Sequence, residues 1–175
     1  MILVVSGTPG TGKTAVATEL AKRRRAEYVS LSSFVVSRGL YTSFDQGSLS
    51  YLVDEERTRA ELSMYLRGRD AVVESIYPSM VEGDEVLVLR RHPLLVYRDL
   101  SNRGWPESKV MENVEAEALG VVEAEAWESF RKVCVVDGSN VTVQEVIRRF
   151  EEGECRSVDW LQDPSVVELL EVTNR

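Results

Sequence analysis

A glycine-rich stretch near the start, SGTPGTGKT at residues 6–14, constrains the fold of this chain more than any other feature. It follows the apolar run MILVV, which predicts a buried strand, and it precedes residues 14–25, whose apolar positions recur near helical spacing. The stretch fits the pattern G-x-x-x-x-G-K-[ST] without a mismatch. A strand, a glycine loop and a helix in this order predict a loop whose backbone N–H groups bind phosphate oxygens.

The residues of this loop have separate predicted roles. Lys13 is expected to reach the β- and γ-phosphates of ATP, and Thr14 is expected to supply a hydroxyl to Mg²⁺. The alternative is a chance glycine turn before a helix, and the matching flanks argue against it. The residues that we expect to hold the nucleotide are Gly7, Pro9, Gly10, Thr11, Gly12, Lys13 and Thr14.

Length and composition predict one domain over residues 1–175. The chain starts inside the first strand and has no apolar run near the ~20 residues of a membrane span, so we expect a cytoplasmic protein without membrane contact. Cys134 and Cys155 lie far apart without a C-x-x-C pattern, which favours a buried free thiol at Cys134 over a disulfide or a zinc site. A net charge of −8 argues against direct nucleic-acid binding, and it suits a basic protein partner or serves solubility alone.

Short apolar segments alternate with helical patterns along the chain. This alternation predicts an α/β fold with a parallel five-stranded sheet and helices on both faces, in which ligands bind beyond the carboxyl ends of the strands. The predicted strands are residues 2–5, 27–31, 70–75, 85–90 and 132–139. The predicted helices are residues 14–25, 54–68, 93–102, 109–131, 142–153 and 159–172.

Charged residues stand at the ends of three predicted strands. Glu74 ends the strand VVES, where its carboxylate is placed to meet Mg²⁺; a solvated strand-end acid is the alternative interpretation. Arg90 and Arg91 follow the next strand and are candidates for phosphate contacts. Asp137 opens the loop DGSN at residues 137–140, which we expect at the edge of the nucleotide base.

The segment SNRGWPESK, which contains Arg103 and follows Arg98, predicts a short lid at about residues 102–110 between two helices. Guanidinium groups neutralise transferring phosphates well because they bind oxygens in pairs. Closure of the lid would carry Arg103, together with Lys109, over the phosphates and exclude water. Arg98 is a further candidate, and an ordinary surface arginine is the alternative for both Arg98 and Arg103.

A polar, serine-rich segment at about residues 30–54 predicts a separate acceptor-binding insertion. Ser33 and Arg38 are its candidate substrate-binding residues. Asp45 is a third candidate that orients the acceptor, although a turn aspartate is the alternative. The single histidine, His92, is interpreted as a helix-start residue rather than a base.

These segments resemble the adenylate kinase isoenzyme six family and its archaeal homologues over about residues 2–136. The resemblance is carried by GTPGTGKT, VDEERTRAEL, RGRDAVVES and VLRRHPLLVYRDLSNRGWPESKVMENVEAEAL. Its sharpest part is RGWPESKVMENVEAE. The residues there that match the family's short lid and following helix are Arg103, Gly104, Lys109, Asn113 and Glu117.

The resemblance implies a P-loop NTPase fold of the nucleoside monophosphate kinase type with a short lid. It implies phosphoryl transfer from ATP, with Mg²⁺, to a nucleoside monophosphate such as AMP, and it also implies ATPase activity. It further implies a role in maturation of the small ribosomal subunit, through binding of a small-subunit ribosomal protein.

The chain departs from that family at three places. Residues 74–76, Glu-Ser-Ile, replace the usual Asp, any residue, His, so the imidazole associated with ATP hydrolysis is missing. The arginine expected to bind the monophosphate falls at Val36, with Arg38 the nearest replacement, and the arginine usual before the lid falls at Asp99, next to Arg98. Two alternative functions therefore stay open: a slow ATPase that acts as a nucleotide-gated assembly factor, and a small kinase for another acceptor.

Overall fold

The structure is a computed structural model that describes residues 1–47 and 50–173. The strands are β1 (Ile2–Ser6), β2 (Glu27–Ser30), β3 (Tyr41–Asp45), β4 (Ser50–Val53), β5 (Ala71–Ser75), β6 (Glu85–Arg90) and β7 (Val133–Asp137). Five of them form one sheet in the order β2-β5-β1-β6-β7, and every neighbouring pair in it is parallel. The predicted five-stranded parallel sheet is confirmed.

Helices connect the strands and cover the sheet. They are α1 (Lys13–Arg24), α2 (Leu31–Ser37), α3 (Glu55–Leu66), α4 (Pro93–Asn102), α5 (Glu107–Leu119), α6 (Val121–Ser129), α7 (Val143–Glu151) and α8 (Pro164–Thr173). Short 3₁₀ turns occupy Pro78–Met80 and Trp160–Gln162. Among the helices of residues 1–47 and 50–173, none is long and apolar enough to cross a bilayer.

The central strand β1 is buried along its whole length, and its successive side chains enter two different apolar layers. Leu3 and Val5 pack in the layer that α1 and α7 cover, together with Leu20 and Ile147. Val4 packs in the opposite layer, which α2, α3 and α6 cover. A strand buried on both faces needs a continuous apolar run, and MILVV supplies it. The core therefore holds the start of the glycine loop in place.

The predicted acceptor insertion is more ordered than a polar loop. It contains the helix α2 and an antiparallel hairpin of β3 and β4, followed by α3. The side chain of Asp54 caps α3 by accepting a hydrogen bond from the N–H of Arg57 over 3.2 Å. Two residues of the insertion, 48 and 49, lie outside the described residues.

The predicted helix over residues 109–131 is in fact two helices that meet at Gly120. This glycine has φ +67°, in the left-handed region that glycine adopts without cost, and it ends α5. A Cβ atom at Gly120 would lie 3.4 Å from the Arg90 guanidinium. The helix ends here because the glycine adopts a left-handed conformation, a local stop signal that apolar periodicity alone does not reveal.

The segment after α7 packs on the body of the protein. Trp160 and Val166 are buried beside Ala118 of α5, so this segment belongs to the core. The same segment carries Cys155, which forms a disulfide with Cys134 of β7. The expectation of a free thiol at Cys134 was wrong, because the turn after α7 brings Cys155 back to β7: the Arg156 N–H donates to the Val135 carbonyl over 2.8 Å.

Replacement of Cys155 by Ser is expected to lower the free energy of unfolding by about 3 kcal/mol, because a bridge across a separation of 21 residues restricts the unfolded chain. Thermal unfolding with and without a reductant measures this effect. Reductant should lower the Tm of the parent protein and leave that of Cys155→Ser unchanged. Equal Tm values for the two proteins without reductant would contradict the prediction.

Candidate functional site

The glycine loop lies between the end of β1 and the start of α1. Gly10 and Gly12 both have φ +88°, a conformation that other residues rarely adopt. Gly10 also packs tightly, since an added Cβ would lie 3.3 Å from the side chain of Leu100 on α4. Thr11 closes the loop through its Oγ1, which donates to the Thr8 carbonyl over 2.7 Å. The loop is thus shaped by its own bonds and by α4.

Lys13 is buried at the first turn of α1, and its Nζ donates to the Thr8 carbonyl over 3.3 Å. Burial lowers the pKa of Lys13 to about 8 because the charged ammonium loses water. The carboxylates of Glu74 and Glu117 oppose this lowering, and the charge of Arg103 adds to it. A buried ammonium with one weak carbonyl bond is well suited to bind an anion.

The structure brings together the two predicted Mg²⁺ ligands. Thr14 Oγ1 donates to Glu74 Oε1 over 2.7 Å. The other carboxylate oxygen, Oε2, accepts a hydrogen bond from the Tyr28 hydroxyl. Burial raises the pKa of Tyr28 to about 12, and the bond to Glu74 adds to the rise. Sequence reasoning missed Tyr28, because only the pairing of β2 with β5 brings it to Glu74.

This pair of oxygen ligands fits Mg²⁺. Proteins usually hold Mg²⁺ through one or two carboxylates or hydroxyls, together with substrate phosphates and water, rather than in an all-protein cage. Among residues 1–47 and 50–173 there is no cluster of three or more His, Cys, Asp or Glu side chains that would form such a cage. The hydroxyl of Thr14 and the carboxylate of Glu74 are therefore the residues that would hold the ion beside the loop.

The predicted lid is a tight turn between α4 and α5. Arg103 follows α4, Gly104 has φ +77°, and Pro106 precedes α5. The charged groups of Arg103 and Lys109 lie 5.9 Å and 4.2 Å from the ring centroid of Trp105. Arg103 of the turn and Lys109 of α5 thus lie near one indole ring, and Arg103 is close enough to lower the pKa of Lys13.

Arg90 was a candidate for phosphate contacts, but in the structure it is not available for them. It is buried, and its Nε donates to both carboxylate oxygens of Glu117 over 3.0 and 3.1 Å. Its Nη1 donates to Glu123 Oε1 over 2.9 Å. Burial raises the pKa of the Glu117 carboxyl to about 7, although the Arg90 guanidinium opposes that rise. Thr8 Oγ1 of the loop also contacts Glu117, over 3.5 Å.

Arg91 contacts the loop directly. Its Nη1 donates to the Gly10 carbonyl over 2.9 Å and to the carboxylate of Asp99. Asp99 is the position at which the family that the sequence resembles has an arginine. Arg98, the neighbour of Asp99 that could replace the family's arginine, is exposed on α4. His92 caps α4 by accepting from the Leu94 N–H over 3.1 Å, which confirms it as a helix-start residue.

A cavity of about 280 Å³ opens beside Lys13 and Glu74. Most of its wall is apolar, and it extends from the glycine loop to the acceptor insertion and the turn after β5. Its described lining residues are Lys13, Ser30, Leu31, Ser32, Val35, Val36, Ser50, Tyr51, Val53, Glu74, Ser75, Ile76, Tyr77 and Met80.

The three candidate residues of the insertion stand outside this lining. Ser33 lies in the first turn of α2, where its N–H donates to Ser30 Oγ over 3.3 Å. Arg38 places its guanidinium 4.4 Å from the ring centroid of Phe34, at the end of α2. Asp45 accepts from the Gly47 N–H over 3.0 Å, as a turn aspartate does. The neighbouring Ser30 and Ser32 face the cavity instead.

A second cavity, of about 260 Å³, lies on the other side of the loop. Thr11, Gly12 and Arg91 contribute to its wall, and so do Gly138 and Asn140 of the DGSN loop. Asp137 itself does not line it. Its Oδ1 accepts from the N–H and the hydroxyl of Ser139, over 2.9 and 2.6 Å, so its carboxylate shapes the loop.

A glycine loop between the central strand of a parallel sheet and the following helix defines a P-loop protein. Solved structures confirm this class of fold. A shikimate kinase from Bacteroides thetaiotaomicron aligns with a TM-score of 0.60 and 15% identity over 88% of this chain and 98% of its own. A gluconokinase from Sinorhizobium meliloti aligns with a TM-score of 0.57 and 16% identity over 98% of this chain and 94% of its own.

Sequence comparison identifies the family. A family model described as "AAA domain" matches residues 3–120. A protein named "Putative adenylate kinase" from Saccharolobus solfataricus is 41% identical over 174 residues, which cover 98% of this chain and 93% of that protein. One of the same name from Thermococcus gammatolerans is 38% identical, covering 91% of this chain and 93% of its own. The chain therefore belongs to the P-loop family that contains these relatives.

Affinity for ATP is expected to fall as pH rises, because polyphosphate needs the charged form of Lys13 and its ammonium deprotonates near pH 8 in the free protein. The dissociation constant should increase up to about tenfold per pH unit above that value. Calorimetric titration with Mg·ATP across this range measures the change. Lys13→Arg stays charged and should bind with a flatter pH profile; parallel profiles for the two proteins would contradict the assignment.

Proposed function

We propose that this protein transfers the γ-phosphoryl group of ATP, with Mg²⁺, to a nucleoside monophosphate, and that AMP is an acceptor. The observation that carries the proposal is the cavity beside Lys13 and Glu74. It joins the P-loop to the acceptor insertion through Ser32 and Tyr51, so a second substrate in it lies next to the phosphate site. The relatives named "Putative adenylate kinase" support the same substrate class.

In this proposal the residues act by binding and charge. The loop N–H groups and Lys13 hold the donor phosphates, and Arg103 compensates negative charge on the transferring group. Thr14 and Glu74 hold Mg²⁺, which when bound neutralises phosphate charge. A phosphate oxygen of the acceptor is already a competent nucleophile, so the reaction needs no carboxylate base. The turn at Arg103 excludes water when it covers the phosphates.

The composition of the cavity favours a second candidate, a kinase for a small uncharged acceptor. No arginine is found among the described residues that line the cavity. Arg38 stacks on Phe34 and lies 4.0 Å from Glu61 Oε2, so it must turn before it binds a monophosphate. Acceptor profiling separates the two candidates.

The resemblance in the sequence extends the proposal to a cytoplasmic ATPase that assists maturation of the small ribosomal subunit. The net charge of −8 suits a basic ribosomal protein as partner. Ile76 lines the cavity, at the position where the adenylate kinase isoenzyme six family that the sequence resembles has a histidine. An apolar side chain at this position favours slow hydrolysis of ATP, since it does not orient a water molecule.

We expect AMP-dependent formation of ADP from Mg·ATP, and a loss of about 10²–10³-fold in kcat/KM for Lys13→Ala, because the buried ammonium stabilises charge on the transferring group. A coupled assay with a panel of nucleoside monophosphates and small hydroxylated acceptors measures both. Lys22→Ala is the matched control, since Lys22 is an exposed lysine of the same helix.

Each outcome of that assay selects one candidate. Turnover with a hydroxylated acceptor and with no monophosphate would support the second candidate. ATP loss that no acceptor accelerates, yet that Lys13→Ala abolishes, would leave the ATPase alone. Equal rates for the parent and Lys13→Ala would refute phosphoryl transfer at this loop.

Binding to small ribosomal subunits is expected to depend on the nucleotide, because a nucleotide-gated factor binds its partner differently in its two states. Pull-down of purified small subunits and their basic proteins with ATP, ADP or no nucleotide tests this expectation. Lys13→Ala should behave as the nucleotide-free protein under all three conditions. Equal recovery by the parent protein in all three would argue against the ribosomal role.

A further inference from the structure

Tyr28 bonds to the carboxylate that we propose as a Mg²⁺ ligand. Its hydroxyl donates to Glu74 Oε2, while Thr14 Oγ1 donates to Oε1 over 2.7 Å. The two oxygens of one carboxylate are thus bonded from two different elements, β2 and α1. Two bonds at opposite oxygens fix the rotation of the carboxylate as well as its position.

The strand register explains how a tyrosine reaches this carboxylate. β2 and β5 are parallel, with Tyr28 opposite Val72 and Ser30 opposite Glu74. Measured along the strand direction, Tyr28 therefore lies two residues, or about 6.6 Å, before the level of Glu74. Both residues are on the same face of the sheet. Its ring packs beside the apolar layer under α1, and its hydroxyl extends to the carboxyl end of the sheet. A tyrosine is long enough to span this distance and rigid enough to be a fixed donor.

The donors around Glu74 hold the carboxylate without forming an ion pair at its oxygens. Both bonds come from hydroxyl groups, those of Tyr28 and Thr14, and neither cancels the negative charge. A glutamate has one more rotatable bond than an aspartate, so its carboxylate needs an outside partner to stay in one place. The bond from Tyr28 engages Oε2 and leaves Oε1 directed at Thr14.

We infer that Tyr28 is a positioning residue, which holds the Glu74 carboxylate beside the Thr14 hydroxyl for the cation that accompanies ATP. The inference rests on the proposed function, since it concerns the same nucleotide site. Outer partners of metal ligands commonly change metal affinity by about 10–100-fold when they are removed. Tyr28 should therefore affect the contribution of Mg²⁺ to nucleotide binding, and not nucleotide binding in general.

The test is Tyr28→Phe, which removes the hydroxyl and keeps the ring. Calorimetry measures the affinity for ATP over a series of Mg²⁺ concentrations and in EDTA. We expect the Mg²⁺ concentration that gives half of the affinity gain to rise by about tenfold. The affinity for ATP in EDTA should remain that of the parent, because the phenyl ring of the variant would still pack under α1 as the tyrosine ring does.

Tyr65→Phe is the matched control. The Tyr65 hydroxyl donates to the carboxylate of Glu27. Glu27 begins β2 and so lies at the amino-terminal end of the sheet, whereas Glu74 lies at the carboxyl end. The variant removes the same kind of bond away from the loop and should leave the Mg²⁺ dependence unchanged. Thermal unfolding of both variants measures any loss of stability separately.

Two results would overturn the inference and leave the proposed function standing. One is parental Mg²⁺ dependence in Tyr28→Phe. The other is an equal loss of ATP affinity with and without Mg²⁺, since Tyr28 would then support the loop as a whole. A parent protein whose affinity for ATP does not respond to Mg²⁺ would instead contradict the proposed nucleotide site itself, and the inference with it.

Discussion

The buried ion pair of Arg90 and Glu117 joins the parts of this structure that form the site. Arg90 ends β6, and Glu117 lies on α5, the helix after the proposed lid. The same guanidinium donates to the Val158 carbonyl of the C-terminal segment, and Glu117 contacts Thr8 of the P-loop. A buried charge is tolerated only with well-placed partners. The sheet, α5 and the P-loop must therefore keep fixed positions relative to one another. Gly120, which ends α5, lies next to this guanidinium.

Two charged side chains at the loop, Lys13 and Glu74, lie in different environments. Lys13 is buried and short of partners, which lowers its pKa and leaves it ready for an anion. Glu74 lies at the open end of β5, where the hydroxyls of Thr14 and Tyr28 donate to its two carboxylate oxygens. The proposed cation site and the proposed anion site therefore lie side by side at the carboxyl edge of the sheet. This is the edge at which parallel sheets bind ligands, because the connecting loops meet there.

Local patterns in the sequence were reliable where one segment decides its own structure. The bounds of β6 and α4 agree with the predicted residues 85–90 and 93–102, since apolar runs, a histidine cap and a following proline act locally. Prediction failed where a distant residue intervenes. The disulfide depends on a turn that returns Cys155 to β7. The break at Gly120 has a local cause instead, a glycine with positive φ that the apolar periodicity concealed.

The sequence by itself determined the class of protein. The loop pattern, the apolar strand before it and the helix after it are contiguous, so backbone geometry alone makes them a phosphate-binding unit. Only the tertiary structure decided which other side chains reach that unit. It brings the Tyr28 hydroxyl to the Glu74 carboxylate. It buries Arg90, and it places Arg91 against the Gly10 carbonyl. The guanidinium of Arg38 instead lies over the ring of Phe34. Strand pairing and burial join residues far apart in the chain, and no local pattern carries that information.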